Sequence, residues 1–178
     1  MPYKNGIYVA FNGCGTNIPT ESDIKYYNIL KAWDGNDGID FDFVNSHEKT
    51  YQVRDSSSES TLKNRLSERL AASKALLLIV TENTKNCSEI LEYEIIEAID
   101  KRKIPIIIAY TNSVRYGDKN QLPEVLRERI KNKTAKVILV HFEKDEIKWA
   151  IDNGIDYISS RKNAVYRYEK KSNSMILH

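Results

Sequence analysis

Five short apolar runs, separated by segments of helical period, constrain this chain more than any other feature. They are residues 7–11 (IYVAF), 39–44 (IDFDFV), 75–80 (ALLLIV), 104–109 (IPIIIA) and 137–142 (VILVHF). The last three are almost continuously apolar, as strands are when helices cover both faces of a parallel sheet. The second alternates, which suits an edge strand. Between the runs, residues 23–33 carry Tyr26, Ile29, Leu30 and Trp33 at helical spacing, and residues 60–73 carry Leu62, Leu66 and Leu70 four apart. Further helical segments follow at 88–102, 122–130 and 145–153. Pro123 is tolerable in a first turn, and Gly154 is an expected stop. Repeated βα units imply right-handed crossovers and one parallel sheet. The expected fold is therefore α/β, a flavodoxin-like doubly wound five-stranded parallel sheet in the order 2-1-3-4-5. Such sheets bind ligands at the carboxyl ends of the strands, near the switch point between strands 1 and 3. Functional residues are expected after Phe11, Val44, Val80 and Ala109. Residues 46–59 (SHEKTYQVRDSSSE) read as a long polar loop on that face. Residues after about 158 show no clear period and read as an extended or poorly ordered C-terminal extension of a single domain, 1–178.

Composition narrows the partners. A chain of 178 residues can bury one sizeable core, and 41% hydrophobic with 29% charged residues is ordinary for a soluble domain. A net charge of +2 is too small to argue for nucleic acid. The short basic cluster Arg161, Lys162, Arg167, Lys170 and Lys171 reads as a solvated tail. Cys14 and Cys87 have neither zinc-ligand spacing nor a disulfide framework, so reduced thiols in a cytoplasm are expected. No signal peptide and no membrane span are expected. His47 and His141 are isolated and read as structural rather than as metal ligands. Gly13-Cys14-Gly15 follows the first run but lacks the third glycine and the Lys-Ser/Thr of a phosphate loop, and reads as a turn. The sequence thus points to no metal, no resident cofactor, no nucleic-acid partner and no membrane partner.

One residue breaks the helical pattern. On a helix through residues 86–102, Ile90, Leu91, Ile95, Ala98 and Ile99 share the face that must pack on the sheet. Glu89, Glu92, Glu97 and Asp100 fall outside it, as surface carboxylates should. Glu94 falls inside it. A carboxylate within a core stripe is costly unless it is paired or faces a solvated cavity. It either sits at the edge of the stripe, paired with a Lys or Arg, or points into a cleft where burial raises its pKa and poises it for a ligand. Position alone leaves both readings open.

Residues 75–108 (ALLLIVTENTKNCSEILEYEIIEAIDKRKIPIII) resemble the strand–loop–helix–strand core of Toll/interleukin-receptor-like (TIR-like) domains. The resemblance is closest to the bacterial branch found in Thoeris anti-phage defence. It lies in the step Tyr93-Glu94-Ile95 with Ala98, the strand end Phe11-Asn12, and the helix start Thr61-Leu62-Lys63. It covers about the first 140 residues. The chain differs from many TIR domains in having Ile90 and Leu91 where they have Trp and Cys. The resemblance implies cleavage of the nicotinamide–ribose bond of NAD, with the helix glutamate, here Glu94, as catalytic residue. NAD is then a substrate rather than a cofactor. Phe11 and Asn12 are expected to stack on and hydrogen-bond the nucleotide. Asn45 and Ser46 after strand 2, Arg54 in the long loop, and Thr81 and Asn83 after strand 3 complete the expected substrate-binding set. The resemblance further implies a (cyclic) ADP-ribose-type signal, a separate effector protein that senses it, and a homo-oligomer on activation.

Other functions of this fold remain to be weighed. A non-enzymatic TIR-like assembly module would leave Glu94 incidental, and nicotinamide release from NAD discriminates the two. A phosphoreceiver needs acidic residues after strand 1 and an Asp after strand 3. Here those positions are Phe11-Asn12 and Val80-Thr81, which excludes it. A flavodoxin proper would be coloured by its flavin.

Overall fold

A computed structural model of the chain describes residues 4–14, 22–36, 41, 43–44, 58–86 and 88–178. Its centre is one sheet. The first strands are β1 (Gly6–Ala10), β2 (Phe43–Val44), β3 (Ser73–Val80), β4 (Ile106–Tyr110) and β5 (Val137–His141). They lie parallel in the order β2-β1-β3-β4-β5, as the alternating pattern predicts. β2 is the edge, again as expected.

The helices follow from caps and apolar faces. α1 is Ile24–Asn36, α2 is Glu59–Ala71, α3 is Glu89–Ile96 and α4 is Glu124–Lys131. Ser58 and Ser88 cap α2 and α3, each accepting from the backbone N–H three residues on. Pro123 stands immediately before α4 rather than inside its first turn. The β-strand alternation divides the core in two. Ile7, Val9 and Phe11 face Tyr27 and Leu30 of α1. Tyr8 and Ala10 face the other layer, where Leu66, Leu70, Leu91 and Ile95 come from α2 and α3. β3 is buried on both faces, which is why its sequence shows no polar alternation.

Three expectations are corrected. First, the sheet has seven strands rather than five. Residues beyond 158 are not a tail: β6 (Val165–Glu169) adds parallel to β5, and β7 (Ser174–Leu177) pairs antiparallel to β6. Tyr166 and Met175 of this hairpin are buried in the α1-side core. Second, Gly154 stops no helix. α5 (Lys144–Trp149), a π-helical turn (Ala150–Gly154) and α6 (Ile155–Ser159) run on without a break. A Cβ on Gly154 would come within 3.1 Å of Ile138 Cδ1, so close approach to β5 accounts for the glycine there. Third, Glu97 is not a surface carboxylate. α3 continues as a π-helical turn over Glu97–Lys101, and Glu97 is only 6% exposed. The wider turn shifts the face that a 3.6-residue period assigns to it.

Candidate functional site

Two polar constellations stand out, one between α3 and the middle of β1, the other at the strand ends where this fold carries ligands. The first is built on Glu94. α3 packs against α2 and the sheet, and Glu94 projects from its inner face with 2% of its surface exposed. No Lys or Arg pairs with it among the described residues; instead the Tyr8 hydroxyl donates to its Oε1 at 2.5 Å. Tyr8 is the third residue of β1, so the contact lies mid-strand, about 13 Å before Asn12 at a rise of about 3.3 Å per residue.

Burial pushes the Glu94 carboxyl up to about 8, and the Tyr8 hydrogen bond, which favours the ionised form, offsets only part of that. Burial, then the Glu94 carboxylate, likewise push the Tyr8 phenol well above its ordinary range. Glu97, one helical turn on, shows the contrast. Burial raises it too, but Ser67 (2.6 Å), Lys101 (3.2 Å) and Arg102 (3.1 Å from Nε) donate to its Oε1 and hold it below the usual carboxylate range. Arg102 also donates to Ser67 at 2.6 Å, closing the group. Both carboxyls of this helix thus have little exposed surface, with Glu94 the deeper. Only Glu97 is given cations.

The second constellation sits at the carboxyl ends of β1 and β3. Asp23, just before α1, is 2% exposed. It accepts from Thr81 Oγ1 at 2.7 Å and from Asn83 Nδ2 at 3.5 Å. Thr81 Oγ1 in turn accepts from the Asn83 amide at 3.1 Å. Asn12 Nδ2 donates to the Asn83 carbonyl at 2.9 Å and to the Asn86 carbonyl at 3.3 Å, and its Oδ1 accepts from the Cys14 amide at 3.1 Å. Burial raises the Asp23 carboxyl, against the opposing bonds from Thr81 and Asn83. The network ties the turn after β1 to the turn after β3 at the switch point.

The expected substrate-binding residues therefore divide. Asn12, Thr81 and Asn83 are brought together. Phe11 is not beside them: it is 5% exposed and stacks on Tyr27, centroids 5.6 Å apart, inside the core. Asn45, Ser46 and Arg54 lie outside the described residues. Tyr8 and Asp23 were not expected. Tyr8 carried a signal: a hydroxyl in a strand buried on both faces must find a partner. Asp23 resembled an ordinary residue before a helix, and only the fold shows that it reaches across to strand 3.

A doubly wound sheet with a buried glutamate that has no cationic partner among the described residues on the helix after strand 3, and a polar network at the switch point, is the arrangement expected of a TIR-like domain. Residues 8–116, more than half of the chain, match the family model of the TIR-like domain of the Thoeris protein ThsB, and the chain belongs to that family. Membership supports a role in anti-phage defence alongside a partner effector. No helix among the described residues is long and apolar enough to cross a membrane.

Proposed function

We propose that the chain consumes NAD, cleaving the nicotinamide–ribose bond with Glu94 as the catalytic carboxylate, and that its (cyclic) ADP-ribose-type product signals to a separate effector. The observation that carries this reading is the uncompensated burial of Glu94. A buried carboxyl with a pKa pushed to about 8 costs stability at neutral pH, and groups perturbed in this way concentrate at functional sites. The bond that breaks joins ribose C1′ to the pyridinium nitrogen. Its electron pair leaves with nicotinamide, which departs neutral and needs no general acid. The ribosyl oxocarbenium left behind is stabilised by an ionised carboxylate. Capture by water gives ADP-ribose and a proton; capture by a nucleophile of the same molecule gives a cyclic product. A pyridinium cation arriving beside Glu94 favours its ionised form, so substrate binding opposes the effect of burial. Asn12, Thr81 and Asn83 frame the strand-end wall of the site in this reading.

With 2% exposure, Glu94 is in a resting arrangement, and the homo-oligomer formed on activation is the step expected to open it. The same burial favours a second reading, in which Glu94 is a structural partner of Tyr8 and the domain signals by assembly alone. One experiment separates them. Full-length wild type and Glu94→Gln are activated in phage-infected cells, and nicotinamide and ADP-ribose products are measured by mass spectrometry. Nicotinamide from wild type only supports the enzyme. Phage protection without NAD loss, equal in both proteins, supports the assembly module.

A further inference from the structure

Toward the sheet edge remote from β1, a cavity of about 820 Å³ opens where β6 begins and β7 ends. Its lining residues all lie beyond residue 116, outside the part of the chain matched to the family. Lys119, Lys133, Arg161 and Lys162 line it, and none of its lining residues is acidic. Among the described residues, none of these three lysines has a carboxylate partner. Arg161 is held from one side: its guanidinium lies 3.5 Å above the Tyr157 ring and donates to the Tyr157 carbonyl, which leaves its other N–H groups available. Arg161 and Lys162, which read as a solvated tail in the sequence, therefore form part of a concave surface. The floor is apolar, formed by Ile130, Val165 and Leu177. Leu177 is 68% exposed, so its aliphatic side chain is open to a ligand. The imidazole of His178, at the same wall, is held below its ordinary pKa by burial and by the positive charges of Lys119 and Arg167.

We propose that this cavity binds a phosphorylated nucleoside, with its phosphate held by Lys133, Arg161 and Lys162 and its base against Leu177 and Ile130. The volume falls within the range of about 300–1,000 Å³ usual for small-molecule sites. A guanidinium already fixed on a ring presents a planar fork suited to phosphate, and unpaired lysines supply the remaining charge without displacing a carboxylate. The apolar floor distinguishes the site from a plain anion patch. The site is separate from Glu94 and from the Asn12–Asp23 network, none of whose residues lines it.

His178 gives a local readout. In the full-length protein its imidazole is titrated by proton NMR, with the resonance assigned from His178→Asn. Adenosine monophosphate should raise its pKa saturably, because a phosphate dianion counters the nearby cations. The response should weaken at least tenfold in affinity in Lys133→Gln/Lys162→Gln. Adenosine should give no pKa shift, and inorganic phosphate should act only at much higher concentration. The proposal is overturned if millimolar adenosine monophosphate leaves His178 unmoved, if the double variant responds like wild type, or if inorganic phosphate is as effective as the nucleotide. None of these outcomes bears on Glu94.

Discussion

Replacing Glu94 with Gln should stabilise the protein, and by an amount that depends on pH. In the unfolded chain the carboxyl titrates near its usual value of 4.5; in the fold, burial raises it to about 8. Below pH 4.5 the group is neutral in both states and folding carries no ionisation cost. As pH rises above 4.5, the unfolded chain gains stability by releasing the proton while the folded protein retains it. At pH 7 the gap of about 2.5 pK units corresponds to about 3 kcal/mol, growing to about 5 kcal/mol above pH 8. Gln keeps an oxygen to accept from Tyr8 and has nearly the same volume, so packing is conserved and the penalty alone is removed. For a chain of this length, 3 kcal/mol corresponds to about 6–12 °C in Tm. Thermal melting of wild type and Glu94→Gln from pH 4.5 to 8.5 should show curves that nearly coincide in acid and diverge as pH rises, with the variant above. In parallel, NAD cleavage should fall by about 10²-fold or more, the scale of losing one preorganised charge contact. A Tm difference that is constant across pH, or a wild type that is the more stable protein at pH 8, would show that Glu94 is ionised in the fold and refute the argument.

Other perturbations probe the surrounding structure. Tyr8→Phe removes the one hydrogen bond that favours the Glu94 carboxylate, so the carboxyl pKa, followed by carbon-13 NMR, should move further up, as should the acid limb of kcat/KM for NAD. Glu97→Gln should have the opposite pH signature to Glu94→Gln. The folded pKa of Glu97 is depressed, so the wild-type advantage, about 1–3 kcal/mol for charged hydrogen bonds, should be full above pH 4.5 and vanish as pH falls through the folded value; urea unfolding at pH 3 and 7 checks this. Met175→Ala should cost about 2–5 kcal/mol by urea unfolding, as for other buried side chains, because the β6–β7 hairpin carries part of the core; a loss below 0.5 kcal/mol would return residues 160–178 to the status of a tail.

The order of the first five strands was legible because each is a run bounded by a helical segment, and a doubly buried strand such as β3 is unbroken by polar residues from Ala75 to Val80. The hairpin beyond 158 was not legible for the converse reason. VYRYE and SMIL alternate only partly, and Arg167 and Glu169 interrupt them on the exposed side. Their apolar side chains are recognisable as core only once β5 offers an edge for them to extend. The same dependence on context explains Gly154. A glycine after an apolar helical face usually ends the helix, yet here the deciding fact is how near β5 passes, which is set by a contact 16 residues away in sequence.

At the site, a helical wheel was enough to single out Glu94 and not enough to characterise it. The wheel assigns faces by angle, and on that measure Glu97 belonged outside. The π-helical turn brought Glu97 inward as well, so neither residue has much exposed surface, although Glu94 lies deeper. What distinguishes them is the partners that other elements bring. α2 and the end of the π-helical turn surround Glu97 with Ser67, Lys101 and Arg102. β1 gives Glu94 a single phenol. Desolvation raises both, more strongly at the deeper Glu94, and the partners set the outcome, one carboxyl held low and the other pushed to about 8. The fold gives Glu97 two cations and, among the described residues, leaves Glu94 with a neutral donor; the proposed catalytic role of Glu94 rests on that difference.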